Sequence, residues 1–146
     1  MLKPATLAVV DALVDLENRT FDGERLSRRS FVHALTRGRA VTLVDTAGGL
    51  LRAYVMVFFH DRRSMGRIYS IAVDARWRGH GLGHRLLLAA EKLARGRGCG
   101  AMRAEVRADN KASRKLFERG GYAEIGRWVG YYEADGEDAV RYEKRL

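Results

Sequence analysis

Apolar residues recur along this chain at helical and strand-like spacings, and their order predicts a mixed α/β fold. Residues 2–4 leave room for a very short strand. A first helix is expected after Thr6, which is placed to cap it, because four apolar residues then share one face: Val9, Val10, Leu13 and Leu16. Asp22-Gly23 should end this pattern, and Ser27 should cap a second, shorter helix that runs to about Arg37.

The middle of the chain predicts three strands in sequence, then a helix and a fourth strand. Two apolar runs, the β-branched Ala40–Thr46 and the later Leu51–Phe59, flank Gly48-Gly49 and indicate an antiparallel hairpin. Arg67–Asp74 is the next strand. The helix after it packs one apolar face on the sheet through Leu82, Leu86, Ala89, Ala90 and Leu93. Because a crossover helix joins parallel strands, Ala101–Val106 is expected to lie parallel to Arg67–Asp74.

The last part of the chain predicts one more helix and a terminal hairpin. Asn110 begins a helix with three residues directed toward the core: Ala112, Leu116 and Phe117. A strand is expected at Tyr122–Trp128. Asp135-Gly136 is a turn signal between the two final strands, Tyr131–Ala134 and Ala139–Leu146. No repeat or linker interrupts this order, so residues 1–146 are expected to form a single domain.

Length and composition agree with a soluble domain. The chain has 146 residues, of which 47% are hydrophobic, enough for a genuine core. No stretch approaches the roughly 18 uninterrupted apolar residues of a membrane span. The start of the chain lacks a signal-peptide pattern, so a cytoplasmic protein is expected. Cys99 is the single cysteine, which excludes an internal disulfide and gives no metal cluster.

A formal charge of +9 raises the question of an anionic partner. The arginines are scattered from Arg19 to Arg145, with adjacent pairs only at Arg28-Arg29 and Arg62-Arg63. Neither the aromatic-interleaved pattern of RNA-binding domains nor zinc-finger spacing is present, so nucleic acid is an unlikely ligand. Charge alone does not choose between a cofactor and a protein partner.

The most informative stretch is the strand and glycine-rich turn that precede the long helix. Backbone N–H groups at such a turn lack intrahelical partners, and the helix dipole adds roughly half a positive charge. A phosphate is therefore the expected ligand. The turn lacks the Gly-Lys-Ser/Thr of a P-loop, because His84 follows Gly83. It also lacks the glycine spacing and the later acidic residue of a dinucleotide site.

The turn instead has the pattern Arg78-x-x-Gly81-x-Gly83 after a strand that ends Ile71-Ala-Val-Asp74. With Glu105 and Asn110, and with the segment Leu116-Phe-Glu-Arg-Gly-Gly-Tyr122, it resembles the GNAT acetyltransferases, most of all the bacterial enzymes that modify the N-terminal alanine of a ribosomal protein. The resemblance implies a GNAT-like α/β fold: a mixed, mostly antiparallel sheet flanked by helices, with a parallel strand pair at the acetyl-CoA site.

The resemblance also implies which residues hold acetyl-CoA. The backbone of Ile71, Ala72 and Val73 would pair with the pantetheine arm. The amides of Gly79, His80, Gly81, Leu82, Gly83 and His84 would hold the pyrophosphate, with added charge from Arg78 and from His84. Both histidines are equally well explained as exposed polar side chains. Asn110 would contact the pantetheine, although an asparagine there is also a good helix cap. Phe117 would also line the acetyl-CoA site. No metal is expected.

For catalysis, the resemblance places Glu105 as the base that accepts a proton from the amine. The alternative is a surface glutamate opposite Arg103 or Arg107. In the N-terminal alanine acetyltransferases a tyrosine protonates the leaving thiolate, and Phe117 stands in its place and cannot do so. Tyr131 is the candidate substitute, with Tyr132 or water as others, although packing or acceptor contact explains these tyrosines as well.

Several functional interpretations remain open from the sequence. The first is direct transfer of acetyl to an amine, because Cys99 lies outside the matched site and offers no covalent route. The acceptor is a protein N-terminus or a small molecule, recognised by the region Phe21–Arg37 and by Tyr131-Tyr132. A non-catalytic acyl-CoA-binding domain is the alternative. The protein is expected to be a monomer or a homodimer, with no membrane partner.

Overall fold

The computed structural model describes residues 2–21, 25–37, 39–60 and 64–146, and within them seven strands form one sheet. The strands are β1 (Leu2–Pro4), β2 (Ala40–Ala47), β3 (Leu50–Phe59), β4 (Met65–Val73), β5 (Ala101–Arg107), β6 (Ala123–Tyr132) and β7 (Glu137–Arg145). The helices are α1 (Val10–Thr20), α2 (Arg28–Thr36), α3 (Leu82–Gly96) and α4 (Lys111–Arg119). The strand order is β1-β2-β3-β4-β5-β7-β6, antiparallel except between β4 and β5.

The parallel pair β4–β5 opens along its length. Its paired residues run from Met65 opposite Ala101 to Ile68 opposite Ala104, and no further pair is formed among the described residues. Strand β4 stays paired with β3 as far as Val73. An extra residue, Tyr69, interrupts the β3–β4 register, as bulges near binding sites often do. One edge of β4 beyond Ile68 therefore faces a gap rather than a strand.

Helices cover both faces of the sheet, and each face has its own core. On one face, α3 and α4 bury Leu86, Leu87 and Phe117 against β5 and β7. On the other face, α1 and α2 bury Leu13 and Phe31 against β2 and β3. Large aliphatic and aromatic side chains of this kind each contribute about 1.5–3 kcal/mol on full burial. The two cores hold the opening between β4 and β5 in place from both sides.

The predicted fold class is confirmed, including the parallel pair and the antiparallel hairpin of β2 and β3. Strand β1 and helix α2 also lie where the pattern placed them, and Ser27 caps α2 by accepting a hydrogen bond from the amide of Ser30 at 3.1 Å. The predicted break at Asp22-Gly23 lies outside the described residues.

Three details of the sequence prediction were wrong. Thr6 makes no side-chain cap, because a short 3-10 turn at Leu7–Val9 separates it from α1. Ala112 is exposed rather than directed to the core. The two strands expected at 122–128 and 131–134 are one strand, β6, because two register shifts against β7 let the chain pass Gly130 without breaking the pairing. Among the described residues, no helix is long and apolar enough to cross a membrane.

Candidate active site

The glycine-rich turn between β4 and α3 presents a row of backbone amides. Gly79 and Gly81 have φ values of 81° and 76°, a left-handed conformation that side chains with a Cβ rarely adopt. The first hydrogen bond of α3 is donated by Arg85 to the carbonyl of Gly81 at 3.1 Å. The amides of Leu82 and Gly83 precede that bond and have no helical partner. Together with the dipole of the 15-residue helix, these amides are suited to hold an anion.

A buried aspartate fixes the start of this turn. Asp74 accepts a hydrogen bond from the amide of Arg76 at 2.9 Å and ion-pairs with the side chains of Arg76 and Arg19 at 3.0 and 2.6 Å. The hydrogen bonds from Arg76, followed by those from Arg19, hold the pKa of Asp74 well below its usual range. Because Arg19 lies on α1, the same carboxylate joins the turn to the helix on the opposite face.

A groove of about 1070 Å³ runs from this turn into the gap beside β4. It brings together most of the residues predicted for acetyl-CoA: Ile71, Ala72, Val73, Arg78, Gly79, Gly81, Leu82, Gly83, His84 and Asn110. His80 and Phe117 do not line it. His80 is exposed and lies near Trp77, with their ring centres 6.1 Å apart. Phe117 is buried between Tyr122 and Tyr142.

Asn110 has the position that both of its predicted roles require. Its Oδ1 accepts a hydrogen bond from the amide of Ser113 at 3.1 Å and so caps α4. Its Nδ2 has no hydrogen-bond partner in the described part of the chain, and the residue lines the groove. The cap fixes the side chain while leaving a donor available to a ligand.

A second pocket, of about 620 Å³, adjoins the groove. It lies between the end of α1, the start of α2 and the strands β4, β5 and β6. The two cavities adjoin each other, because they share five lining residues: Phe21, Ile71, Arg107, Asn110 and Ser113. This arrangement gives a donor groove (the cavity over the glycine turn) and an acceptor pocket (the smaller cavity) that meet beside Ile71.

Both predicted catalytic residues lie in the acceptor pocket, and an arginine joins them. Arg67 Nε donates to Glu105 Oε2 at 2.8 Å, and the Glu105 side chain is only 10% exposed. Burial alone would lower the pKa of Arg67, but hydrogen bonds to Glu105 and Tyr131 raise it. Sequence reasoning missed Arg67. It also paired Glu105 with Arg103 or Arg107 as an alternative, and the structure contradicts this because those arginines bind Glu143 and Asp135.

The rings of the predicted tyrosines form an aromatic corner at the pocket's edge. The Tyr131 ring centre lies 5.0 Å from that of Trp128 and 5.1 Å from that of Tyr132. Arg107 lies over the Tyr132 ring at 4.8 Å and pairs with Asp135 at 2.5 Å. Hydrogen bonds to Asp135, then to Asp109, raise the pKa of Arg107. Packing therefore holds these rings, and Tyr131 also lies close enough to Arg67 to contribute to the raised pKa of that arginine.

The pocket floor holds a buried carboxylate that sequence reasoning also missed. Glu17 on α1 is 1% exposed, and its Oε1 accepts a hydrogen bond from the Tyr54 hydroxyl at 2.5 Å. Its Oε2 accepts one from the amide of Leu26 at 2.6 Å. Burial raises the pKa of Glu17. The signal was present in the pattern, because Glu17 follows Leu13 by four positions and so lies on the apolar face of α1.

Comparison with known proteins identifies the family. The sequence model of the family described as "Acetyltransferase (GNAT) family" matches residues 10–122. The chain belongs to the GNAT acetyltransferase family. The family uses acetyl-CoA, and the donor groove fits that substrate, because its unpaired amides suit a pyrophosphate and the open edge of β4 offers main-chain groups to an extended arm.

Three curated relatives are similar to this chain in sequence, and two of them are named for an acetyltransferase activity. An uncharacterized protein of Mycobacterium leprae is 34% identical over 92% of this chain, which spans only 37% of that protein's length. YwnH of Bacillus subtilis, provisionally named a phosphinothricin acetyltransferase, is 28% identical over 97% of this chain and 89% of its own. A second Bacillus subtilis protein, provisionally named a [ribosomal protein bS18]-alanine N-acetyltransferase, is 28% identical over 90% and 85%.

Solved structures confirm the GNAT fold. The crystal structure of the ribosomal-protein-S18-alanine N-acetyltransferase from Escherichia coli superposes with a TM-score of 0.89 at 24% identity, covering 100% of this chain and 93% of the other. The predicted likeness to the N-terminal alanine acetyltransferases is thereby confirmed at the level of fold, and by a relative of that name in sequence.

Proposed function

We propose that this GNAT acetyltransferase moves the acetyl group of acetyl-CoA directly to a primary amine that binds in the acceptor pocket. The observation that carries the proposal is that the two cavities adjoin each other. Ile71 and Asn110 line both, and Glu105 lies in the wall of the smaller one. A donor that enters along the groove and an amine that enters through the pocket therefore meet beside a carboxylate.

Glu105 is proposed as the proton acceptor. A protein α-amine has a pKa of about 8 and a lysine amine about 10.4, so most acceptor molecules must lose a proton before they attack. Arg67 holds one carboxylate oxygen of Glu105, and the other oxygen has no hydrogen-bond partner among the described residues. The ion pair fixes the side chain and leaves one oxygen for the amine or for an intervening water.

Tyr131 is proposed to supply a proton to the departing CoA thiolate. Phe117 is unsuitable because a phenylalanine has no acidic proton and its ring is buried between two tyrosines. The Tyr131 hydroxyl lies beside Arg67 at the edge of the same pocket. Since a thiol with a pKa of about 8.5 already leaves well as thiolate, this contribution should be modest.

The acceptor is proposed to be a protein N-terminal amine, with a small-molecule amine as the second candidate. The exposed apolar residues of β6 near the pocket favour a peptide, since Val129 is 86% exposed and Trp128 and Tyr131, whose rings contact each other, are also exposed. The relative named for phosphinothricin, which matches almost the whole chain, favours a small molecule. With either acceptor, we propose a cytoplasmic location for the reaction.

An amine panel tests the proposal. The purified protein is incubated with acetyl-CoA and, separately, with peptides of different N-terminal residues, with amino acids including phosphinothricin, and with polyamines. Thiol release gives the rate, and mass spectrometry locates the added acetyl group. Turnover with at least one amine is expected. Tight CoA binding without turnover on any amine would contradict the proposal and indicate a non-catalytic CoA-binding domain.

A further inference from the structure

The floor of the acceptor pocket is formed by three polar side chains from three separate elements. Glu17 lies on α1, Tyr54 on β3 and Ser70 on β4. The Tyr54 hydroxyl lies 2.5 Å from Glu17 Oε1 and 2.7 Å from Ser70 Oγ. Glu17 and Tyr54 are buried, whereas Ser70 is half-buried and lines the pocket next to Ile71. The chain of hydrogen bonds thus begins in the core and ends at the place where the two cavities meet.

The direction of each hydrogen bond in this chain is fixed by its buried end. The Leu26 amide is a donor only, so Glu17 Oε2 accepts. Tyr54 donates to the other oxygen, Oε1, at 2.5 Å, and acceptance at both oxygens is the pattern of an ionised carboxylate, although burial raises the pKa of Glu17. The Tyr54 oxygen is left to accept from Ser70, whose hydroxyl hydrogen consequently points inward.

This orientation decides what Ser70 offers to a ligand. With its hydrogen committed to Tyr54, the Ser70 oxygen presents lone pairs to the pocket and can only accept. An amine donates N–H groups and, as ammonium, carries the positive charge that an acceptor oxygen attracts. A ligand group that itself only accepts, such as a carboxylate, gains nothing at this position.

We propose that Ser70 Oγ accepts a hydrogen bond from the acceptor amine, and that Glu17 and Tyr54 are positioning residues that fix the direction of the Ser70 hydroxyl. The assignment deepens the proposed function and rests on it. Glu105 takes the proton in that function, whereas Ser70 holds the nitrogen beside Ile71. Together they give the amine two acceptor groups on neighbouring strands of the pocket wall.

The chain offers a matched control in a second buried glutamate. Glu91 on α3 is also 1% exposed and also accepts a hydrogen bond from a tyrosine hydroxyl, that of Tyr122 at 3.0 Å. Its other oxygen is paired with Lys144 at 2.9 Å. Neither Glu91 nor Tyr122 lines the groove or the pocket. Substitution of Glu91 therefore shows how the loss of a buried carboxylate changes Tm at a position that does not contact the substrate.

Glu17→Gln should reverse the direction of the hydrogen bonds. The glutamine oxygen must face the Leu26 amide, so its NH₂ group faces Tyr54 and donates to it. Tyr54 then donates to Ser70, and the Ser70 hydroxyl hydrogen turns into the pocket, against the N–H groups of the amine. Ser70→Ala removes the acceptor altogether, and Ser70→Thr restores a hydroxyl.

The test is steady-state kinetics of the full chain with the best amine from the panel, together with CoA affinity and Tm. Glu17→Gln and Ser70→Ala should raise KM for the amine about tenfold, the loss of roughly one good hydrogen bond, with kcat changed less than about threefold and CoA affinity unchanged. Ser70→Thr should restore KM. Glu91→Gln should lower Tm and leave both KM values unchanged.

Two outcomes would overturn the assignment: an unchanged amine KM in Ser70→Ala, or a Glu17→Gln variant that lowers Tm as Glu91→Gln does but leaves KM alone. Either result leaves the proposed function standing, because the wild-type protein still turns over. Absence of wild-type turnover on every amine is the separate result that removes the proposed function and this assignment with it.

Discussion

The donor groove and the acceptor pocket differ in what they are made of. The end of the groove at the glycine turn is built from backbone amides and from glycines in a left-handed conformation, all within one stretch from β4 to α3, while Asn110 and residues of α4 line its other side. The pocket is built from side chains that come from distant parts of the chain, such as Arg67 with Glu105 and Glu17 with Tyr54. The donor site is therefore a property of a local motif, whereas the acceptor site is a property of the assembled fold.

The difference predicts that variants in the two regions change different quantities. A change in the groove should alter binding of acetyl-CoA, because the amides there contact only the donor. A change in the pocket should alter catalysis or the amine KM and leave CoA binding intact. A single variant of either region that changes both to the same extent would show that the two cavities do not act separately.

Glu105→Gln should have the largest effect. Loss of a positioned base costs about 10² to 10⁴ in rate, so kcat should fall at least about a hundredfold. The amide can still accept from Arg67, and CoA affinity should stay within about twofold, since the side chain lies outside the groove. Stopped-flow thiol release and CoA titration measure the two.

Glu143→Gln is the matched control for that variant. Glu143 is held by Arg103 at 2.9 Å in the same way as Glu105 is held by Arg67 at 2.8 Å, but it lies outside the pocket. Its kcat should match that of the wild type. Equal losses in the two variants would mean that ion pairing, and not proton transfer, explains the effect.

Gly81→Val is expected to weaken CoA binding by about tenfold or more, because a β-branched residue at a φ of 76° is strained by about 1–3 kcal/mol and moves the amides that follow. Gly48→Val is the control, since Gly48 also has a positive φ, 57°, and likewise has open space around it. Calorimetric titration should show weakened CoA binding only in the first variant, with a lowered Tm in both. Normal affinity in Gly81→Val would remove the turn from the donor site.

Asp74→Asn should make the free energy of unfolding depend less on pH in the acidic range. The folded state holds the pKa of Asp74 below its ordinary 3.8, so the carboxylate stabilises the protein at pH values above 3.8 and loses this contribution as the pH falls toward the lowered value. Glu17 contributes to the pH dependence in the opposite direction, because burial raises its pKa above 4.5 in the folded state. Its ionisation therefore lowers the free energy of unfolding as the pH rises above that value. Urea unfolding between pH 3 and 7 should show Asp74→Asn less stable by about 1–3 kcal/mol at neutral pH, with the difference shrinking in acid. A difference that grows in acid would contradict this account.

Tyr131→Phe should have the smallest effect, a reduction in kcat of less than about tenfold, because a thiolate with a pKa of about 8.5 leaves without much assistance. The ring contacts with Trp128 and Tyr132 are retained in this variant. Tyr132→Phe serves as the comparison, since its ring remains under Arg107. If only the Tyr132 variant lost activity, the proposed acid would be misassigned.

The sequence predicted the donor groove well because its information is local. The glycine spacing, the helix that follows and the cap at Asn110 can each be predicted from neighbouring residues, and the parallel pairing of β4 with β5 follows from the crossover rule. Strand β6 was divided in two because the register shifts that carry it past Gly130 depend on β7, its partner. The register between two strands cannot be predicted from the pattern of residues within one of them.

The acceptor pocket was less predictable for the same reason. The partner of Glu105 is Arg67, 38 residues away, and the pairing depends on the short parallel contact of β4 with β5. Arg103 and Arg107 were plausible partners only because they lie two positions from Glu105 in the sequence. Glu17 is the exception, since a glutamate on the apolar face of a helix indicates a buried role through the local pattern alone.

The most direct test of the account follows a labelled acetyl group through a single turnover, with the protein in excess over labelled acetyl-CoA and an active amine present. Intact-protein mass spectrometry and separation of the small molecules show where the label is at each time. The account predicts that label passes from acetyl-CoA to the amine nitrogen with release of CoA, and that none is ever attached to the protein. Label bound covalently to the protein, or released as acetate with the amine unmodified, would contradict direct transfer between the groove and the pocket.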